Sequence, residues 1–319
     1  MNLRCSFFLT ALLPLLVSVS IRGQATMDLR TEQLSGPVHV CIIEEVLAPK
    51  ASFKLSLDTV GTTKATKILV YDPLGRMIEE TSHGEDGCVA TQYLTQYGPD
   101  QLVTKQIVRY FGPSKEPDEV TTYFYDSQGR RERSETRNKG GHLLDSLTIR
   151  YGPDGTREDS LFDAKGKLES TVVTHFNKAG KPVKEEWYTH GKLRQATLTS
   201  YNTRGLKETV EFLAGPDKQP YQRMIYAYNE KGQPSDVTFR QPTGLILKRI
   251  RYSYSHSGHI ETVSYYQGRD KLQEWDSLVC DSHGNWVVFS KYHTHPDPSK
   301  APQKPYEQMV RRIYYYCTH

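Results

Sequence analysis

The sequence predicts an all-β fold: a repetitive antiparallel β-hairpin meander that forms one long curled sheet or shell. Three observations predict it. A short phrase, clearest as Tyr-x-Tyr-Asp-x-x-Gly in Tyr123–Gly129, returns at nearly constant spacing along the chain. A second set of glycine-containing turns lies about half a period from the first. No long stretch shows the 3.6-residue periodicity of an amphipathic helix.

The phrase repeats about every 26 residues, so that each period holds one pair of hairpin strands. From Tyr125 to Cys280 successive copies are 25 to 27 residues apart. A fixed period in this range indicates stacked supersecondary units. The residues that precede the Asp-like position are, in order, Tyr71, Tyr97, Tyr125, Tyr151, Phe176, Tyr201, Tyr228, Tyr254 and Cys280.

The phrase is typical of a hairpin turn. An Asp or Asn side chain can accept a hydrogen bond from the backbone two residues on, and a glycine three residues later supplies a positive φ. Asp126-x-x-Gly129 therefore suits a type I turn followed by a glycine bulge. Two strands in each period give roughly 18–20 strands, and open twisted sheets rarely exceed about ten. We expect an arc, a spiral or a closed shell; the sequence leaves the choice open.

The strands have two chemically different faces, because alternate residues of a strand point to opposite sides. Tyr226 shares one face with Met224, whereas Arg249 and Arg251 lie on the other. The first interpretation is that tyrosines fill a thin core; the alternative is a platform for a ligand, since aromatic rings stack on sugars. The predicted ligand contacts are Tyr123, Tyr125, Tyr226, Tyr228, Tyr252 and Tyr254.

Two segments carry a resemblance to a known family. Tyr123–Arg130 (YFYDSQGR) and Tyr71–Arg76 (YDPLGR) resemble the repeat of the YD-repeat, or Rhs-type, proteins. Cys280–Trp286 and Arg311–Tyr316 are similar to the ends of small secreted repeat proteins from Bacteroidetes. The resemblance spans roughly residues 68–316. It implies a β-shell and says little about function.

Residues 1–25 read as a signal peptide, and residues 26–319 as a single YD-repeat-like β-sheet domain. Arg4 gives a positively charged start, Ser6–Ile21 is nearly all apolar or small, and Gly23–Ala25 suits cleavage. The apolar run is shorter than the ~20 residues of a transmembrane helix. We therefore expect an exported protein of the periplasm, cell surface or medium, with no transmembrane segment.

Four cysteines remain after cleavage, which permits three disulfide connectivities. Only residues on nearby strands come within bonding distance. We expect Cys41 to pair with Cys88 and Cys280 with Cys317; the alternative is buried thiols.

Composition and motifs limit the function. Cleavage removes Arg4 and Arg22, leaving 39 basic against 37 acidic residues without a clustered basic face, so we expect no nucleic-acid partner. No hydrolase, nucleotide or phosphate motif occurs, so we expect no catalytic residues and no cofactor. The segment His293–Asp297 alone resembles metal ligands, and we interpret it as a solvated loop rather than a metal site or a hydrolase centre.

The combined expectation is a non-enzymatic binding or surface-interaction protein of the cell envelope, adhesion-like, whose partner is an envelope or host protein or a glycan. The alternative is a periplasmic or outer-membrane carrier or chaperone that shelters a lipid or an unfolded client inside the curled sheet.

Overall fold

The computed structural model describes residues 34–47, 63–112, 118–293 and 305–316. The predicted signal peptide lies outside the described residues, as does Phe53–Leu57, whose alternating apolar side chains predict a second strand. The described part contains twenty strands, all antiparallel to their neighbours, and none of its residues is helical. It therefore contains no helix long and apolar enough to cross a membrane.

The strands follow one another at nearly even intervals, as the 26-residue period predicts. They are β1 (Val38–Val46), β2 (Thr63–Tyr71), β3 (Met77–His83), β4 (Val89–Tyr97), β5 (Val103–Tyr110), β6 (Glu119–Tyr125), β7 (Arg131–Asn138), β8 (Leu143–Tyr151), β9 (Thr156–Asp163), β10 (Leu168–Phe176), β11 (Pro182–Thr189), β12 (Lys192–Tyr201), β13 (Lys207–Ala214), β14 (Gln219–Tyr228), β15 (Pro234–Arg240), β16 (Ile246–Tyr254), β17 (Ile260–Gln267), β18 (Lys271–Cys280), β19 (Trp286–His293) and β20 (Glu307–Tyr315).

Each strand pairs with the next, and the sheet closes because β1 pairs with both β2 and β20. Cys41 lies opposite Leu69 on one side and Ile313 on the other. The predicted all-β hairpin meander is confirmed. Of the shapes left open by the sequence, the protein adopts the closed one, which leaves no unpaired sheet edge.

The motif turns have the predicted geometry. The backbone N–H of Asp126 donates to the carbonyl of Arg130, and that of Gly129 donates to the carbonyl of Asp126. The Asp126 side chain accepts the backbone N–H groups of Gln128 and Arg130, each at 2.9 Å. Gly129 has a φ of 73°, and the register shifts at Phe124/Tyr125, as a glycine bulge requires.

The connections divide between two ends of the closed sheet. Because consecutive strands are antiparallel, the connections after even-numbered strands all lie at one end, which carries the Asp-x-x-Gly turns. We call this end the motif rim. The connections after odd-numbered strands lie at the opposite end, which we call the half-period rim.

Tyrosine hydroxyls tie successive repeats together at the motif rim. In six repeats the tyrosine that ends an even-numbered strand donates a hydrogen bond to the carbonyl of the first residue in the strand before it. We call this contact the tyrosine latch. Phe176 and Cys280 occupy the same position and have no hydroxyl to donate. The six latches, 2.6–3.0 Å long, join Tyr97 to Met77, Tyr125 to Val103, Tyr151 to Arg131, Tyr201 to Pro182, Tyr228 to Lys207 and Tyr254 to Pro234.

The arginine that follows the motif glycine reinforces the latch. Arg130 donates its Nε–H to the carboxylate of Asp126 at 2.8 Å, and its guanidinium lies 4.3 Å from the ring centre of Tyr151 in the next repeat. Arg76 makes the same two contacts, with Asp72 and with the ring of Tyr97. The arginine therefore braces its own turn and covers the next latch tyrosine.

A tyrosine hydroxyl also links the strands at the seam where the sheet closes. Tyr316, just past β20, donates its hydroxyl to the carbonyl of Tyr71 at 2.7 Å. Asn285 is 0% exposed; its amide donates to the carbonyl of Ser35 at 2.8 Å and accepts the Ser35 N–H at 2.6 Å. The largest apolar cluster of the described residues lies here too, and consists of Leu34, Val38, Cys41, Ile43, Leu69, Tyr71 and Met77.

The predicted disulfides are wrong. Cys41, Cys88 and Cys280 form no disulfide, and Cys317 lies outside the described residues. Cys41 is in β1 and Cys88 directly precedes β4, three strands away, which is about 14 Å at the usual strand spacing and too far for a disulfide. Cys280 ends β18, two strands from β20, so β19 separates it from the strand that leads to Cys317.

The latch makes a testable prediction for stability. Tyr228→Phe removes the hydroxyl and leaves the Lys207 carbonyl without that donor, so we expect a loss of about 1 kcal/mol in the free energy of unfolding. Tyr252→Phe is the matched control, because the Tyr252 hydroxyl makes no hydrogen bond within the described chain. Chemical denaturation of the three proteins checks this; equal losses for both variants would contradict the role of the latch.

Candidate functional site

The register of the strands defines two faces. Tyr226 lies opposite Val237, Val237 opposite Ile250, and Tyr252 opposite Val263. We call the face that these residues share the tyrosine face; the same register places Tyr123 and Tyr93 on it. The opposite face carries Arg249 and Arg251 and is called the charged face.

The structure separates the six tyrosines predicted to contact a ligand into two groups. Tyr125, Tyr228 and Tyr254 are latch residues whose hydroxyls are bound to backbone carbonyls. Tyr123 donates its hydroxyl to the side-chain oxygen of Gln106 at 3.2 Å. The sequence could not distinguish these from the remaining two, Tyr226 and Tyr252, because all six alternate on the same face.

Tyr226 and Tyr252 are half-buried and their hydroxyls are available. The Tyr226 hydroxyl has only the Met224 sulfur nearby, at 3.9 Å, and the Tyr252 hydroxyl has no hydrogen bond among the described residues. Burial, together with the neighbouring Tyr228 and Tyr252, raises the pKa of Tyr226 to about 12. Burial also raises the pKa of Tyr252. Both rings therefore stay neutral at physiological pH and can donate a hydrogen bond.

An apolar floor lies between these two tyrosines on the same face. Tyr226 of β14 lies opposite Val237 of β15, which is 5% exposed and lies opposite Ile250, two residues before Tyr252 on β16. Two strand steps correspond to about 10 Å across the sheet. Ile250 and Val263 continue the floor beside Tyr252. We call Tyr226, Tyr252 and this floor the tyrosine platform.

A third tyrosine joins the platform to a polar group. Tyr265 donates its hydroxyl to Asp276 at 2.8 Å, and the Lys248 ammonium lies 5.1 Å from the centre of the Tyr265 ring. Asp276 is 5% exposed, and burial, the largest effect, raises the pKa of its carboxyl. Burial and the hydrogen bond to Asp276 raise the pKa of Tyr265.

The polar group extends over the next two strands. Lys291 pairs with Glu307 at 2.8 Å and lies opposite Asp276 in the register. We call Asp276, Lys291 and Glu307 the acidic group. Sequence reasoning missed it because its members come from three strands. The one available signal is that Glu274 and Asp276 alternate on the tyrosine face of β18.

His293, considered in the sequence as a metal ligand, has an ordinary surface environment. Its Nδ1 lies 3.2 Å from a Glu274 carboxylate oxygen, and its ring stacks on Tyr306 with centroids 3.9 Å apart. His295 and Asp297 lie outside the described residues. Within the described ranges, no three His, Cys, Asp or Glu residues are grouped so that they could hold a metal ion.

The charged face is covered by ion pairs. Asp236 accepts a hydrogen bond from the guanidinium of Arg249 and forms an ion pair with Arg251, whose Nε lies 3.5 Å away. Glu186 is 5% exposed and is held by Lys184 and Lys218, each at 2.9 Å. These ion pairs neutralise the charges within the face, so its charged groups are less available to bind a partner than the hydroxyls of the tyrosine platform.

No family model matches the chain, and no curated protein matches it. Solved structures that resemble it include TcdB2-TccC3-TEV, with 13% identity over 78% of this chain and 13% of that one and a TM-score of 0.33. Another is a porin-like protein from Bacteroides uniformis, with 11% identity over 88% and 98% and a TM-score of 0.37. The Tc holotoxin pore of Photorhabdus luminescens has 12% identity over 76% and 16%, with a TM-score of 0.29. These TM-scores are too low to carry an argument about function.

The buried Asp276 predicts a pH dependence. Since its pKa is raised in the folded protein, the folded state binds more protons than the unfolded state between the ordinary pKa of 3.8 and the raised value. Stability should therefore fall as pH rises through that interval, and Asp276→Asn should flatten this part of the profile.

Asp126→Asn is the matched control with the opposite sign. The backbone N–H of Arg130 is the largest factor that lowers the pKa of Asp126, so its contribution is present above pH 3.8 and lost as pH falls through the lowered pKa. Urea denaturation across the acidic range measures both variants. If Asp276→Asn and Asp126→Asn change the slope of the unfolding free energy against pH equally, Asp276 does not titrate as its burial requires.

Proposed function

We propose that the protein is an exported, non-enzymatic binding protein of the cell envelope that holds a saccharide polymer against the tyrosine platform. The observation that carries the proposal is the difference between otherwise similar tyrosines on one face. Tyr125, Tyr228 and Tyr254 use their hydroxyls in latches, whereas Tyr226 and Tyr252 leave theirs for another molecule.

The chemistry around the platform suits a sugar. Aromatic rings pack against the C–H faces of pyranose rings, and their hydroxyls bond to sugar oxygens. Tyr226 and Tyr252 supply two such rings. Beyond Tyr265, the partly exposed Glu274 offers carboxylate oxygens that can accept hydrogen bonds from sugar hydroxyls.

The polarity of the tyrosine face favours a saccharide over the lipid or unfolded client of the alternative carrier hypothesis. The same face carries the ion pairs Lys67–Glu80, at 2.7 Å, and Lys291–Glu307, at 2.8 Å. A lipid chain beside these charges would have to desolvate them without replacing their hydrogen bonds. A hydrated saccharide polymer can lie beside these charges without desolvating them.

A glycan array and a pull-down from envelope extract test the proposal with a double variant, Tyr226→Ala/Tyr252→Ala. We expect binding of the retained glycan to fall at least tenfold, a loss of about 1.4 kcal/mol. Tyr226→Phe/Tyr252→Phe keeps the stacking surface and removes the hydroxyls, and should give an intermediate loss.

Tyr266→Ala is the matched control, since Tyr266 is a partly buried aromatic residue on the charged face under Arg251. Far-UV circular dichroism verifies that each variant is folded. If the folded double variant binds every partner as tightly as Tyr266→Ala does, the tyrosine platform is only packing and the proposal fails.

A further inference from the structure

The two rims differ in their exposed charges and exposed apolar side chains over one continuous arc of the sheet, from β7 to β16. This arc covers nine strand steps, about 43 Å at the usual spacing. Five half-period connections lie along one side of it, after β7, β9, β11, β13 and β15, and every residue of these five is described. We call this side of the arc the basic rim.

The basic rim carries exposed apolar side chains at separate points. Leu245, directly after the turn glycine of the β15–β16 connection, is 60% exposed. Leu168, Tyr221 and Leu247, at or near the starts of their strands, are also exposed. These side chains lie at three hairpins of the rim, β9–β10, β13–β14 and β15–β16.

The exposed charges of the basic rim are predominantly positive. Two exposed carboxylates, Glu169 and Asp217, lie among eight exposed cations, and two of these cations are held in ion pairs within the described chain, Arg137 by Glu135 and Lys218 by Glu186. The eight cations are Arg137, Lys139, Lys165, Lys167, Lys192, Arg194, Lys218 and Lys248.

The motif rim of the same arc is different. Its exposed charges are nearly balanced, and its described turns carry none of the exposed large apolar side chains. The exposed cations are Arg133, Arg150, Lys178, Arg204 and Lys231, and the exposed acids are Glu132, Asp154, Glu208 and Glu230. The excess of exposed cations and apolar side chains is therefore confined to one end of this arc and is not a general feature of the sequence.

We propose that the basic rim docks on an anionic lipid surface. The apolar tips stand singly along the end of a closed sheet, which suits a broad, yielding surface rather than a grooved protein partner. Leucine and tyrosine side chains enter the boundary between headgroups and acyl chains, while lysines beside them pair with headgroup phosphates. Such docking would hold the tyrosine platform upright above the lipid.

Flotation with vesicles tests this with the purified protein. It should float with vesicles of equal parts phosphatidylglycerol and phosphatidylcholine, and remain behind with phosphatidylcholine alone. Binding should weaken as salt is raised, because the headgroup attraction is screened. Lys165→Gln/Lys167→Gln should reduce binding at least about tenfold, and Leu245→Ser should reduce it several-fold.

Each variant has a control at the motif rim. Leu74→Ser removes a leucine of similar exposure, 65%, and Lys178→Gln/Lys231→Gln removes the same charge. Both controls should bind as the unaltered protein does. The proposal is overturned if anionic vesicles do not carry the protein, if the controls lose as much binding, or if Leu245→Ser has no effect, which would leave charge attraction alone.

Discussion

The hydrogen bond from a tyrosine hydroxyl to the carbonyl of the preceding strand is the contact on which the rest of the molecule depends. A meander of twenty strands has few apolar side chains with which to hold neighbouring repeats in register, and most of its buried apolar residues lie near the seam. The latch compensates in six repeats by fixing the motif turn to the one before it. The motif arginine, as at Arg130, then links the turn carboxylate to the next latch ring. Tyr316 makes a different tyrosine hydrogen bond across the seam, to the carbonyl of the last residue of β2, and so links the end of β20 to the first repeat.

This arrangement frees part of the tyrosine face for other uses. At the motif rim the tyrosines are structural and their hydroxyls are used. Two residues earlier on the same strands, Tyr226 and Tyr252 lie beyond the reach of the turn carbonyls and rest on Val237 and its neighbours. The repeat therefore places a structural tyrosine at the end of the strand and a surface tyrosine two residues earlier on the same face. The half-period rim has no latch residues, and its turns are free to carry the cations and leucines of the basic rim.

Much of this could be predicted from the sequence because it is local. The period, the turn geometry at Asp126–Gly129, the two faces and the first strand at Val38–Val46 all follow from residues close together in the chain. The roles of individual tyrosines could not be predicted, since Tyr226 and Tyr228 differ only in what the preceding strand offers them. The Cys41–Cys88 disulfide was wrong although the period of two strands in about 26 residues already implies strands between these two cysteines, and β2 and β3 do lie between them. The contact between Tyr265 and Asp276 is evident only from the register of β17 and β18.

Closure of the sheet through the seam is the central claim, and amide hydrogen exchange tests it most directly. If the sheet is closed, the amides of Cys41–Glu45 and Met309–Ile313, which face each other across the seam, should exchange as slowly as those of an interior strand such as Val210–Leu213. An open sheet would leave β1 and β20 as edges, where alternate amides exchange with water. Fast exchange confined to those two segments, with β13 protected, would contradict the account.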